Sequence, residues 1–350
     1  MLSLPFNYLF LLMMFFGTIF SISSLHWLGI WVGLEVNLIG FLPILVYGKN
    51  MIESEAGTKY FIMQALGSSF LMFSSLVLFN ISFSWEISMT FEFNYYWGGV
   101  IILLSGLLLK VGMFPFHFWF PSVMSSLSWV SCLLLVTWQK LAPVFLVSVV
   151  LETFEALWLL LLICVCSSGS SLVGGIGGIN QSQIRGLLAY SSIGHMGWIF
   201  FALCQSFYNM KVYFFIYVLI SICLFIILWY GSVALMVGLN SLIKNLFIYF
   251  SIILLFLSLG GLPPLLGFAA KWNVFISSME FSMGMFIMLL IIGSVMSLFY
   301  YLSLMFIYCV NSYNMTIMNN LMGFQLISLI VFINLLGGVI IMMFDLLSFF

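Results

Sequence analysis

The sequence predicts an all-α fold: a polytopic bundle of about eleven transmembrane helices in which two helices are broken at prolines. Three observations predict it. Of 350 residues, 65% are hydrophobic and 5% are charged, with a mean hydropathy of +1.29, whereas an ordinary soluble domain is about one quarter charged. Apolar blocks of roughly 20 residues, each long enough to cross a bilayer, recur from one end of the chain to the other. Two clusters, Phe114-Pro115-Phe116 and Gly260-Gly261-Leu262-Pro263-Pro264, fall inside such blocks, and there the freed backbone groups need neighbours or water as partners.

Apolar length and polar interruptions place helices near 4–23, 25–47, 58–83, 97–119, 124–151, 157–178, 187–205, 212–237, 246–267, 275–308 and 323–347. The first block carries no Lys or Arg in residues 1–22, shows no small-residue cleavage site and runs straight into the second; it reads as a span, not as a signal or transit peptide. The second holds Glu35 in IWVGLEVNLIGF, and the fourth holds Lys110 before Pro115 and His117. The fifth holds Lys140 in VTWQKLAPVF. The fifth and tenth are long enough to hide a break, a tilt or a surface helix. The sixth ends on GGIGGINQSQ, which lacks the strand-Gly-helix context and the GK[ST] of a phosphate cradle and reads as close helix packing or a helix end. The seventh brings Ser191, Ser192 and His195 together, without the G-x-S-x-G elbow or adjacent acid of a hydrolase. The ninth runs into the second Gly/Pro cluster, beyond which Lys271 stands in LLGFAAKWNVF. The polar connections 48–57, 84–96 and 309–322 are too short for a soluble domain, so residues 1–350 read as one transmembrane domain.

Eight Lys+Arg against nine Asp+Glu give a net charge of −1, which excludes a basic face for nucleic acid and a polybasic lipid patch. Cys132, Cys164, Cys166, Cys204, Cys223 and Cys309 lie mostly in apolar runs without zinc or iron-sulfur spacing; they read as packing residues, and no metal site is expected. Lys49, Lys59, Arg185 and Lys244 fall in one set of loops, while Lys211, Glu86, Glu92, Glu152 and Glu155 fall in the other. Because Lys and Arg prefer the side from which a chain is inserted, the N-terminus is expected on the Lys/Arg side and Phe350 on the opposite face. Trp31, Trp85, Trp97, Trp119 and Trp272 read as interface belts. The abundance of Phe (39) and Met (23) is what an organelle genome with strong base bias produces.

The buried charges carry the functional reading. A Lys or Glu at mid-bilayer costs about 2.5–3.5 kcal/mol on insertion scales, so Glu35, Lys110, Lys140 and Lys271 together cost roughly 10 kcal/mol, comparable to the net stability of a domain. Structural ion pairs, snorkelling lysines or misplaced helix ends form one reading; a proton relay forms the other, and the number of sites favours it. Desolvation disfavours any buried ammonium and a nearby carboxylate favours it, so moving one glutamate can switch an amine between charged and neutral. His117 lies seven residues after Lys110, on the same helical face unless Pro115 breaks the register, and could extend a water-linked path. His195, with hydroxyl neighbours, suits proton hopping, or is a packed histidine. His26, beside Trp27 at a helix start, reads as interfacial.

The strings SSLHWLGIWVGLEVNLIGFLPIL, ESEAGTKYFIMQALGSS, LLKVGMFPFHFWFPSV, TWQKLAP, GGINQSQIRGLLAYSSIGHMGW and LSLGGLPPLLGFAAKW, in this order, closely resemble the subunit 2 family of animal mitochondrial NADH:ubiquinone oxidoreductase (complex I). The resemblance covers most of residues 20–275, the antiporter-like core, and leaves about 275–350 matched only in hydropathy and length. It implies an antiporter-like subunit of a membrane arm in the mitochondrial inner membrane, with its N-terminus on the matrix side. It also implies a hetero-oligomer in which other membrane-arm subunits and lipids are the partners. Position by position, Glu35 resembles the family's membrane glutamate, Lys110 its partner on a broken helix, Lys140 the central relay lysine and Lys271 the lysine beyond the second break. His117 and His195 match histidines near a hydrated axis. FMN, iron-sulfur clusters and ubiquinone are then expected in other subunits, and this chain binds no redox cofactor. A stand-alone cation/proton antiporter and a purely structural bundle are the alternative readings.

Overall fold

A computed structural model describes residues 6–47, 51–86, 97–154, 156–231, 246–279, 283–311, 331–332, 334–339 and 341. Among them the chain is helical, and the β-type pairing is an isolated antiparallel bridge between His26 and Glu86. Backbone contacts divide the chain into two compact units, Met1–Leu162 and Ile163–Phe350. Seven helices among the described residues are long and apolar enough to cross a membrane, and three more apolar helices are shorter. The predicted helix 323–347 lies largely outside the described residues, as do Lys49, Glu92, Glu155, Lys244, Phe350 and the side chain of Cys309.

The first unit contains α1 (Asn7–Ser23), α2 (Trp27–Val46), α3 (Met51–Ser82), α4 (Trp97–Val111), α5 (Trp119–Ser126), α6 (Trp129–Val136) and α7 (Trp138–Phe154). With no hydrophobic drive between helices in lipid, association rests on close packing of small residues. At the α1–α2 seam a Cβ on Gly17 would stand 2.6 Å from the Asn37 backbone nitrogen, and one on Gly33 would stand 2.6 Å from that of Ser21. Hydroxyls on the seam turn inward to their own helix: Thr18 Oγ1 donates to Phe15 O and Ser21 Oγ to Thr18 O, each at 2.8 Å. Helix α3 starts at Met51, not near 58, so Lys59 sits on the helix and not in a loop; it pairs with Glu55 at 2.7 Å in the exposed first turns. Hydropathy misses these turns because Glu53, Ser54 and Glu55 interrupt the apolar run, although Glu and Ala favour helix. The predicted 124–151 helix is α6 and α7, parted at Thr137.

The second unit holds most of α8 (Leu157–Ile179), with α9 (Ile184–Gln205), α10 (Phe207–Gly231), α11 (Leu246–Gly260), α12 (Leu266–Ser278) and α13 (Gly284–Asn311). The glycine run ending α8 serves close approach: a Cβ on Gly174 would stand 2.6 Å from the Gly194 nitrogen on α9, and one on Gly175 would stand 2.6 Å from Gly293 O on α13. The predicted 275–308 helix is divided, since α12 ends at Ser278 and α13 begins at Gly284. Cys132, Cys164, Cys166 and Cys204 are buried thiols and Cys223 is half-buried.

Both predicted breaks use one device. The predicted 97–119 helix ends at Val111 and the 246–267 helix at Gly260, each followed by a glycine in the left-handed region, Gly112 at φ 76° and Gly261 at φ 82°. Met113 N donates back to Leu108 O and Leu262 N to Leu257 O, each at 3.2 Å. This six-to-one bond is the Schellman closure, for which glycine lacks the steric penalty of other residues. Cis peptides at Phe114–Pro115 and Pro263–Pro264 follow, and the chain re-enters helix at Trp119 and Leu266.

Candidate functional site

A broken helix exposes carbonyls that must find donors inside the protein. At the first break, Trp119 Nε1 donates to Leu109 O at 3.1 Å and Gln64 Nε2 of α3 donates to Lys110 O at 3.3 Å. Trp119 is therefore buried at the break, not part of an interface belt; its single donor was worth more to an orphan carbonyl than to headgroups. Lys110 ends α4 and is 6% exposed. Its stem runs over Gly67 of α3, where a Cβ would meet Lys110 Cγ at 2.9 Å. Gly67 thus keeps a lane for the lysine between two closely packed helices.

Glu35 lies on α2 with Oε1 buried, and among the described residues no group donates to that oxygen. It is near enough to act electrostatically on Lys110 and on Tyr60. It does not close an ion pair with Lys110, since no N···O distance between them falls within 4.0 Å. The arrangement is a carboxyl group and an amine held in reach of each other's field without direct contact. A closed buried pair would neutralise both and hold them still.

Lys140, 2% exposed on α7, places Nζ 4.5 Å from the centroid of the Phe120 ring, a cation–π position. It stands three residues after the interruption at Thr137 and three before Pro143, whose missing N–H leaves the Gln139 carbonyl without its intrahelical donor. The sequence reading found this lysine and allowed a break in the long block around it, without placing that break at Thr137. His117 falls in the connection after α4, against the rings of Phe114 and Phe118 at 6.4 and 4.1 Å. Because α4 ends at Val111, the helical face shared with Lys110 is lost. His117 O instead accepts from Phe120 N at 3.1 Å, opening α5.

In the second unit His195 of α9 is 8% exposed and its Nδ1 lies 3.2 Å from the Tyr213 hydroxyl of α10, with the Tyr217 ring 5.2 Å away. Lys271 of α12 donates from Nζ to Gly260 O at 2.9 Å, putting a cationic group on the C-terminal carbonyl of the broken α11. His195 and Lys271 line one small cavity with Ser191, Ser294, Ser297 and Tyr300. Residues 334–339 support the break: the Asn334 side chain accepts from Leu266 N at 3.4 Å, capping the start of α12. Sequence reading missed Asn334, Gly67, Gln64, Asn37, Gln139 and Tyr60. The signal available was an uncharged polar residue or glycine inside an apolar block, which is weaker than a charge.

Residues 24–297 match the family described as NADH:quinone oxidoreductase/Mrp antiporter, TM. The chain is similar to NADH-ubiquinone oxidoreductase chain 2 of Anopheles gambiae, 42% identical over 275 residues, covering 77% of this chain and 75% of that one. It is also similar to the chain of that name from Locusta migratoria, 36% identical over 302 residues, covering 85% and 84%. Among solved structures, a chain of respiratory complex I from Thermus thermophilus with bound aureothin shares the fold with a TM-score of 0.82 at 24% identity, covering 95% of this chain and 78% of that chain.

Proposed function

The chain belongs to the NADH:quinone oxidoreductase/Mrp antiporter transmembrane family, in its NADH-ubiquinone oxidoreductase chain 2 branch, and we propose that within such a complex it translocates protons across the mitochondrial inner membrane. NADH oxidation and quinone reduction take place in other subunits, and FMN, iron-sulfur clusters and ubiquinone are held there. The other membrane-arm subunits and lipids are its neighbours, and its N-terminus lies on the matrix side.

The observation that carries this reading is the first-unit arrangement: a buried Glu35 oxygen that no donor among the described residues satisfies, in the field of a buried Lys110 it does not touch. A small displacement of Glu35 relative to Lys110 changes how well the amine holds its proton. Lys140 passes the change on, and His117, His195 and Lys271 stand along the path that the protons take. Each unit of pKa change is worth about 1.36 kcal/mol, and a charge crossing 100 mV costs about 2.3 kcal/mol. Shifts of a few units therefore suffice to move a proton against a membrane potential.

Lys110→Met or Lys140→Met, in the assembled complex, is expected to cut proton pumping and NADH:quinone turnover together. Unchanged pumping in both variants sinks the relay. Native electrophoresis with an in-gel stain for NADH oxidation checks the assembly: this chain belongs in a very large NADH-oxidising band, and migration alone makes an independent cation/proton antiporter the leading reading.

A further inference from the structure

Asn37 of α2 and Gln139 of α7 form a reciprocal amide pair. Asn37 Nδ2 donates to Gln139 Oε1 at 2.9 Å, and Gln139 Nε2 donates to Asn37 Oδ1 at 3.0 Å. The two residues stand two positions after Glu35 and one before Lys140. Successive positions two apart on a helix face different sides, so Asn37 grips α7 from a face of α2 that Glu35 does not use. Helix α1 packs on both α2 and α7, and the amide pair adds a direct side-chain link between those two.

The link extends further. Tyr60 of α3 donates its hydroxyl to the same Gln139 oxygen at 3.3 Å. Its ring packs edge-on against Phe41 of α2 at 5.3 Å and tilted against Trp119 of α5 at 5.9 Å. Trp119 in turn holds Leu109 O, one residue before Lys110, through its indole nitrogen. One run of side-chain contacts therefore joins the helix of Glu35, the helix of Lys140 and the end of the helix of Lys110.

Two apolar side chains of similar size would fill this seam at the cost of the Tyr60 hydroxyl's acceptor alone. A double amide does something they cannot: it holds only in one register, because each hydrogen bond fails when the helices slide by a fraction of a residue. We infer that Asn37 and Gln139 are positioning residues, an amide clamp that fixes α2 on α7 so that a displacement at Glu35 reaches Lys140 instead of being absorbed at the seam. The inference rests on the proton-relay reading and adds to it the mechanical link between the two charged sites.

The test uses the assembled complex in sealed proteoliposomes, with turnover and proton uptake normalised to assembled protein. Four forms are compared with the unsubstituted one: Lys140→Met; the apolar pair Asn37→Leu with Gln139→Met; the swapped pair Asn37→Gln with Gln139→Asn; and Gln139→Met alone. The apolar pair leaves neither amide of the pair unsatisfied, so it is expected to assemble, yet to turn over and pump about fivefold more slowly, the low end of a typical coupling between sites. The swapped pair, which keeps two amides facing each other, is expected to regain most of the loss. Gln139→Met alone is expected to assemble less well than the apolar pair, because it strands Asn37. An apolar pair as active as the unsubstituted complex, or a swapped pair no better than the apolar one, overturns the clamp while a dead Lys140→Met keeps the relay. A fully active Lys140→Met overturns the relay and the clamp with it.

Discussion

Replacing Gly261 by alanine tests the second break at its most constrained point. Gly261 sits at φ 82°, where the Cβ of an L-residue crowds the following carbonyl at a cost of about 1–2 kcal/mol. The surroundings add a second cost. A Cβ built there lies 3.0 Å from Lys271 Nζ and 3.2 Å from its Cδ, so the end of the lysine has to give by a few tenths of an ångström. That shift strains the 2.9 Å bond from Nζ to Gly260 O, and complete loss of a hydrogen bond to a charged group costs about 1.5–3 kcal/mol. Gly261→Ala is therefore expected to destabilise the second unit by about 1–5 kcal/mol, from the backbone cost alone to that cost with the bond lost, and to shift Lys271 in the cavity it shares with His195. The assay is the thermal midpoint of the assembled complex by native electrophoresis after heating, read beside proton uptake. Gly98→Ala is the control, since a Cβ there meets nothing within 4 Å and alanine in a helix is favoured over glycine by about 0.5–1 kcal/mol. A Gly261→Ala complex that melts and pumps like the Gly98→Ala complex would falsify the reasoning.

Two further outcomes follow from the first unit. Gly67→Ala puts a methyl 2.9 Å from Lys110 Cγ and 3.2 Å from Gly106 O, so α3 and α4 must part or the lysine must leave its lane; overpacking of this kind costs about 1–3 kcal/mol, and both melting and pumping should fall. Lys59→Ala removes the exposed pair with Glu55 and should leave complex stability unchanged within error, as exposed i,i+4 pairs do; a clear loss of assembly would mean that the turn they occupy is covered by a partner.

The residues legible in the sequence were those whose placement defied composition. A charge within an apolar block is rare enough that Glu35, Lys110, Lys140 and Lys271 stood out together, and the structure buries both lysines in the first unit. Pro115 and Pro263-Pro264 likewise marked the two breaks, because proline removes a donor wherever it sits. What pattern reading placed wrongly has one cause. Hydropathy measures apolar length, so it ran α4 on to residue 119, merged α6 with α7, and left out the polar first turns of α3. Backbone continuity is decided by where each carbonyl and N–H finds its partner; at the breaks the donors to carbonyls are Gln64, Trp119 and Lys271, and Asn334 accepts from the Leu266 N–H, partners remote in sequence from most of the groups they serve.

By itself the sequence determined that this chain crosses a membrane many times, that ionisable groups are carried into the apolar layer, and that two helices stop at Gly/Pro clusters. Each of these follows from local composition, and transfer free energy is a sum over residues that needs no partner to be evaluated. Only the tertiary structure decided that Glu35 and Lys110 sense each other without touching, that Gly67 clears a lane for a lysine, that His117 leaves the helix of Lys110, and that Asn37 meets Gln139 across 102 positions. Those are pair properties, set by which helices lie side by side, and a small-residue seam or a reciprocal amide bond exists only after the chain has brought both halves together.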